Sequence, residues 1–267
     1  MSLLHAALLG IVQGLTEFLP VSSSAHLILG RALFGWDAGA FGLAFDVACH
    51  VGTLLAVVAY FWRDLAGMAS ALRAPFAPTA SARLLRLVVI GTLPVVAIAV
   101  AFNDFLENTV RTPAATVVTL TLGAVGLLIA ERLRATTREE STITVPEAVG
   151  FGLAESAALV PGISRSGATI TFGMLMGLRR EAAARFSFLL GVPAILAAAA
   201  KEGAGLLGHG MSADERRLFL VGMVSSAVVG YLTVKYFLQY LSHHRLDVFA
   251  WYRIALAAVV VAWLAAR

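Results

Sequence analysis

Ten apolar stretches occupy most of this chain, and they run in one order twice over: two short ones, then three long ones. A helix needs about 20 mostly apolar residues to cross a bilayer core at about 1.5 Å rise per residue. Residues 41–62, 84–102, 114–130, 182–200, 218–241 and 249–266 meet that length within tolerance. The shorter stretches 3–19, 25–34, 146–160 and 168–178 do not. They form two pairs, broken at Pro20-Val21-Ser22-Ser23-Ser24 and at Pro161-Gly162-Ile163-Ser164-Arg165-Ser166. A shift of 142 positions lays Gly10 on Gly152, Gln13 on Glu155, Ser22 on Ser164 and Ser24 on Ser166. The chain therefore reads as an internal repeat.

Composition fixes the solvent. Of 267 residues, 59% are hydrophobic and 13% charged, against about 25% charged in soluble domains. Soluble, disordered and nucleic-acid-binding classes need more polarity or a dense basic face, so no nucleic acid partner is expected. The single cysteine, Cys49, excludes an internal disulfide and a cysteine zinc cage, and reads as a small buried apolar residue. No Lys or Arg precedes the first apolar run, so a cleaved signal peptide is not expected there.

The expected fold is an all-α polytopic membrane protein, one domain over 1–267. Repeat 1 covers about 1–130 and repeat 2 about 146–267, each a re-entrant helix pair plus three transmembrane helices, six spans in total. With three full spans per half, an odd number, the second repeat is inverted relative to the first. Such repeats place their site near the bilayer midplane, where broken backbone is tolerated only in a protein-lined or wet cavity. On this topology thirteen Lys and Arg, Arg253 among them, fall on one side and six on the other. The richer side is then cytoplasmic. The first Ser-rich turn opens from outside and the second from the cytoplasm.

An ionisable group at membrane depth costs about 2.5–3.5 kcal/mol on insertion scales, so each needs a reason. Glu17, His26, Glu155 and Arg165 fall in or beside the broken segments, among Gln13, Ser22, Ser23, Ser24, Ser164, Ser166 and Thr169. Gln13 and Glu17 share a helical face. Hydroxyl, imidazole and carboxylate are the parts of an activated nucleophile. Arg165 adds a forked cation matched to phosphate oxygens, and Gly162 and Gly167 let backbone N–H groups approach an anion. Together these point to phosphoryl chemistry in a membrane. Blander readings stand beside it: serines in membrane helices often bond only backbone, and Arg165 could be an ion-pair partner of Glu17 or Glu155. Asp46 and His50, four apart, read as groups facing substrate or supporting the cavity. His5, His209, His243 and His244 read as solvated interface residues. Trp36, Trp62, Trp251, Tyr240 and Tyr252 read as interfacial aromatics.

At these residues the chain resembles the undecaprenyl-pyrophosphate phosphatase family of the bacitracin-resistance type. Its first motif stands as Gln13-Gly14-Leu15-Thr16-Glu17-Phe18-Leu19-Pro20-Val21-Ser22-Ser23-Ser24-Ala25-His26, and its second as Pro161-Gly162-Ile163-Ser164-Arg165-Ser166-Gly167-Ala168-Thr169. The likeness covers most of the chain, with the charged loop 131–146 outside it. It implies hydrolysis of undecaprenyl pyrophosphate to undecaprenyl phosphate and phosphate in the bacterial inner membrane, with the site facing out. By resemblance Glu17, Ser23, His26 and Arg165 take catalytic positions. Gln13, Ser22, Ser24, Asp46, Ser164, Ser166 and Thr169 are expected around the substrate. Gln13 is the non-ionisable option at its position, so no dedicated metal cage is expected. A divalent cation, Mg or Ca, bridging the pyrophosphate is left open, as is a homodimer. The rival from another class is a polyprenyl-phosphate flippase or transporter, whose architecture also uses inverted repeats.

Overall fold

The computed structural model describes residues 2–35, 42–102, 112–133, 137–209 and 212–266. They form an all-helical protein: α1 Leu3–Thr16, α2 Ser23–Phe34, α3 Leu43–Tyr60, α4 Trp62–Ala71, α5 Ala80–Ala101, α6 Pro113–Leu133, α7 Val145–Ala157, α8 Arg165–Leu175, α9 Arg180–His209, α10 Ala213–Leu241 and α11 Asp247–Ala265. A single 3-10 turn, Glu140–Thr142, precedes α7. Among the described residues, five helices are long and apolar enough to cross a bilayer: α5, α6, α9, α10 and α11. The stretch expected at 41–62 ends as α3, and the chain then bends by 83° into α4. Helix α4 was not expected, because a search for long apolar runs passes over a ten-residue amphipathic helix. It buries Met68 and Ala71 and leaves Trp62 exposed.

Local chemistry sets the helix starts. The Thr144 hydroxyl accepts from the Glu147 N–H while the Glu147 carboxylate accepts from the Thr144 N–H, with Pro146 in the first turn of α7. Ser212 and Glu215 open α10 in the same way. Helices α2 and α8 begin differently, each capped by a serine with positive φ: Ser22 at 72° and Ser164 at 71°. Side chains other than glycine rarely adopt that conformation, and such strain collects at functional sites.

Without a hydrophobic driving force between helices in lipid, close packing relies on small residues. Helix α1 lies on α10, and α7 lies on α5. A methyl group on Gly10 would stand 2.4 Å from the Gly222 carbonyl oxygen, and one on Gly152 would stand 2.0 Å from that of Gly91. The two glycines that the 142-residue shift equates thus make the same kind of contact, each with a long helix of the opposite half. Helix α3 packs on α10 and α9, α6 on α11, and α8 touches α6, α7 and α9. Leu93, Leu122, Val224, Val228 and Val261 are more than half exposed, as lipid-facing side chains are. Cys49 is fully buried, as expected.

The charged segment before α7 is a folded plug. Arg138 donates to the Glu147 carboxylate at 2.6 Å and to the Met176 carbonyl at 2.7 Å, while Arg185 donates to Glu140 at 3.1 Å. Residues 134–136, and with them Arg134, lie outside the described residues, as do Trp36, Arg111, Arg267 and the side chains of Lys201 and His209. The charge count needs one correction. Arg253 is not a loop cation; it is fully buried in α11, so the richer side loses one of its thirteen.

Candidate active site

Arg253 builds the site. Its guanidinium donates to the carbonyls of Thr119 and Leu120 on α6, at 3.2 and 3.1 Å. It also donates to Pro20 in the first Ser-rich turn, at 3.3 Å, and to Gly162 and Ile163 in the second, both at 3.0 Å. Five planar N–H donors can bridge carbonyls in this way, whereas a compact ammonium cannot. The two turns therefore meet back to back on one buried cation, and the helices that follow them start side by side.

Those starts share one geometry. Ser22 accepts from the Ala25 N–H at 3.4 Å and lies 3.2 Å from the Ser24 hydroxyl; Ser164 accepts from the Gly167 N–H at 3.1 Å and lies 3.2 Å from the Ser166 hydroxyl. Ser23 and Arg165 are the first residues of α2 and α8. They too are 142 positions apart. The first N–H groups of a helix lack partners within it and carry partial positive charge, so two helix N-termini aimed at one space favour an anion.

That space is a cavity of about 300 Å³ lined by Glu17, Ser22, Ser23, Ser24, Asp46, His50, Glu155, Ser164 and Arg165, with apolar walls that include Leu27, Ile28, Val95, Ile195 and Ala198. Glu17 is its hub. One carboxylate oxygen accepts from the Ser23 hydroxyl at 2.7 Å and from the Gln13 amide at 2.8 Å, with the His50 Nε2 at 3.5 Å. The other accepts from Arg165 Nη2 at 2.7 Å. The remaining Arg165 nitrogen, Nη1, has no hydrogen-bond partner and stands 3.9 Å from Glu155, both of whose buried oxygens are also unpartnered. Gly191 on α9 makes room for this guanidinium, since a methyl group there would lie 1.4 Å from Nη1. Asp46 is held by Arg31 in an ion pair.

Of the residues expected from sequence, Glu17, Ser22, Ser23, Ser24, Asp46, Ser164 and Arg165 come together on the cavity. Gln13 is fully buried behind Glu17 and orients it. Ser166 donates to the Leu19 carbonyl at 3.0 Å, and Thr169 to the Arg165 carbonyl at 2.7 Å, so both brace the turns from behind. His26 does not line the cavity. Its Nδ1 donates to the Ser22 carbonyl at 2.7 Å, and its Nε2 meets the Tyr252 hydroxyl at 2.7 Å with the two rings stacked. The cavity face of α2 is Ser23, Ser24, Leu27 and Ile28. Two residues along a helix turn about 200°, so His26 points away from both Ser24 and Ile28. Arg253 escaped the sequence reading because its partners are backbone carbonyls, which leave no pattern of side chains. Its neighbours Trp251 and Tyr252 also resemble an interfacial belt.

Three carboxylates line the cavity, and no three His, Cys, Asp or Glu side chains among the described residues are arranged to hold a metal ion. What the arrangement can do is hold an anion against a hydroxyl whose proton already has an acceptor.

The family model described as bacitracin resistance protein BacA matches residues 6–259. A protein of Rubrobacter xylanophilus named undecaprenyl-diphosphatase is 49% identical over 269 residues, covering 99% of both chains. Proteins of the same name from Moorella thermoacetica and Thermodesulfovibrio yellowstonii are 42% and 40% identical, over 99% and 97% of this chain and 99% and 96% of their own. With both motifs, their convergence on one cavity and a match along nearly its whole length, the chain belongs to the bacitracin resistance protein BacA family.

Proposed function

We propose that the cavity hydrolyses undecaprenyl pyrophosphate to undecaprenyl phosphate and inorganic phosphate, returning the lipid carrier to peptidoglycan synthesis and conferring bacitracin resistance. One observation carries this reading: the Ser23 hydroxyl rests on Glu17 at 2.7 Å while Arg165, whose Nη1 makes no hydrogen bond, shares that same carboxylate. The Arg165 guanidinium and the N-termini of α2 and α8 hold the terminal phosphoryl and take up the charge that spreads over its oxygens in the transition state. Ser23 Oγ attacks phosphorus, Glu17 takes its proton, and the lipid phosphate leaves with the bonding pair. Water then releases the phosphate from Ser23. His26 and Gln13 are positioning residues here: the first holds the Ser22 carbonyl, the second holds Glu17. Where a divalent cation, Mg or Ca, takes part, Glu155, whose carboxylate makes no hydrogen bond, is the residue that would hold it. Such an ion would neutralise charge on the pyrophosphate.

The same reading assigns two inverted repeats with six spans, α3 and α4 counting as one. The matched Ser22 and Ser164 caps and the crossed glycine contacts of α1 and α7 support it. Repeat 1 then supplies nucleophile and base, and repeat 2, at the equivalent position, supplies the clamp. The protein sits in the inner membrane with the cavity reached from outside, supported by twelve Lys and Arg against six once Arg253 is set aside. Purified protein in detergent, given undecaprenyl pyrophosphate, should release inorganic phosphate with turnover. Lipid transbilayer movement in vesicles without phosphate release would establish the flippase reading instead.

A further inference from the structure

His50 has no assigned role, yet it is the imidazole that faces the reacting groups. It stands on α3 one turn after Asp46, and Asp46, Val47 and His50 form the part of α3 that lines the cavity. Its Nδ1 lies 2.7 Å from the Asp46 carbonyl oxygen. A carbonyl only accepts, so Nδ1 carries the hydrogen and the tautomer is fixed. Nε2 is then left either with a lone pair or with a second proton, and it faces Glu17 at 3.5 Å. Glu17 in turn holds the Ser23 hydroxyl on that same carboxylate oxygen. The His50 side chain is 30% exposed to the cavity and that of Glu17 only 5%, so the proton path to water runs through the imidazole. The charged groups around it are Glu17, Asp46 with Arg31, Glu155 from α7 and Arg165 from α8. The stretch of α9 on the same cavity presents Ala194, Ile195 and Ala198, while α10 packs on the Cys49 and Gly52 positions of α3, where Ser226 donates to the Cys49 carbonyl.

We propose that His50, rather than His26, relays the protons of this reaction through Glu17. The inference rests on the phosphatase reading above. As Ser23 Oγ bonds to phosphorus, its proton passes to Glu17 and on to His50 Nε2. The bond from phosphorus to the bridging oxygen breaks, that oxygen keeps the electron pair, and His50 returns the proton to it. In the second step water bonds to phosphorus and gives one proton to the same pair. The Ser23 oxygen leaves with its electrons and takes that proton back. Each half-reaction therefore starts and ends with the pair in the same state.

The test is phosphate release by the full-length protein in detergent, comparing wild type, His50→Ala and His26→Ala. General acid–base groups contribute about 10²–10⁴ in rate, so His50→Ala should lose at least about a hundredfold in kcat with KM little changed. Added imidazole should restore part of that rate, and substituted imidazoles should rescue in order of their basicity. His26→Ala, opened toward Tyr252, should lose rate through its serine loop and gain nothing from imidazole. Where His50→Ala does not fold, His50→Asn keeps a donor for the Asp46 carbonyl but has no group that takes up a proton, and should show the same loss in kcat with KM little changed. Near-normal kcat in His50→Ala, rescue confined to His26→Ala, or near-normal kcat in His50→Asn would each overturn the proposal. Wild-type protein that releases no phosphate would overturn the phosphatase reading itself, a failure visible before any variant is made.

Discussion

Replacing Arg253 should unmake the site without touching any residue on the cavity. The guanidinium is fully buried and donates to five carbonyls. Those of Thr119 and Leu120 lie inside α6 and also accept within the helix. Those of Pro20, Gly162 and Ile163 lie in the turns, and among the described residues Arg253 is their donor. A buried carbonyl stripped of its donor costs about 1–3 kcal/mol, so Arg253→Met should destabilise by about 3–9 kcal/mol. Total stability is about 5–15 kcal/mol for a typical protein, which makes this variant marginal. Arg253→Lys keeps the charge but has one nitrogen. It cannot reach Pro20 on one side and Gly162 on the other, and should lose about 1–3 kcal/mol. Thermal unfolding followed by size-exclusion in detergent, with phosphate release on the folded fraction, reads both effects. Arg253→Lys should melt earlier and turn over poorly even where folded, because the two turns no longer share one anchor. Wild-type melting together with a wild-type rate in Arg253→Lys would refute the claim that this residue joins the turns.

Three further outcomes follow from named contacts. Arg165→Lys should keep its melting temperature but lose about 10²–10³ in rate, because a point charge cannot bond Glu17 and a phosphoryl oxygen at once; near-normal turnover would show that the fork is not used. Gly191→Ala should displace the far end of a flexible side chain, so phosphate release should fall at least about tenfold while stability changes by less than about 1 kcal/mol; full activity would mean that Arg165 works from another position. Outside the spans, hydrogen bonds from Arg138 hold the Glu147 carboxyl well below its ordinary value, at about 2. A carboxyl depressed in the folded state stabilises above its unfolded value, and that contribution fades as pH falls from about 4.5 toward 2. Wild type should therefore lose more thermal stability across that window than Glu147→Gln does; parallel curves would contradict the pairing.

The sequence exposed the parts of this molecule that rest on side-chain type and spacing. Proline beside a serine run marks each broken helix, and α2 and α8 start where those runs lie. Glu17 and Arg165 stood out because a charge at membrane depth needs a partner, and they are each other's partner at 2.7 Å. Contacts made by backbone left no such trace. Arg253 binds carbonyls from three separate segments, and Gly191 matters only for the space it leaves. Packing decides which side of α2 meets the cavity, so His26, one turn after Ser23, faces Tyr252 instead; His50, expected to face substrate or support the cavity, lines it beside Glu17. Helix α4 went unseen because its apolar side is two residues wide.

In the proposed mechanism Ser23, alone among the clustered serines, attacks phosphorus from its seat on Glu17. Phosphate release by Ser23→Ala and Ser24→Ala, measured side by side on equal amounts of folded protein, tests it most directly. Ser23→Ala should be inactive. Ser24→Ala, whose hydroxyl bonds only Ser22 at 3.2 Å, should keep a measurable fraction of the wild-type rate. An active Ser23→Ala beside an inactive Ser24→Ala would contradict the account.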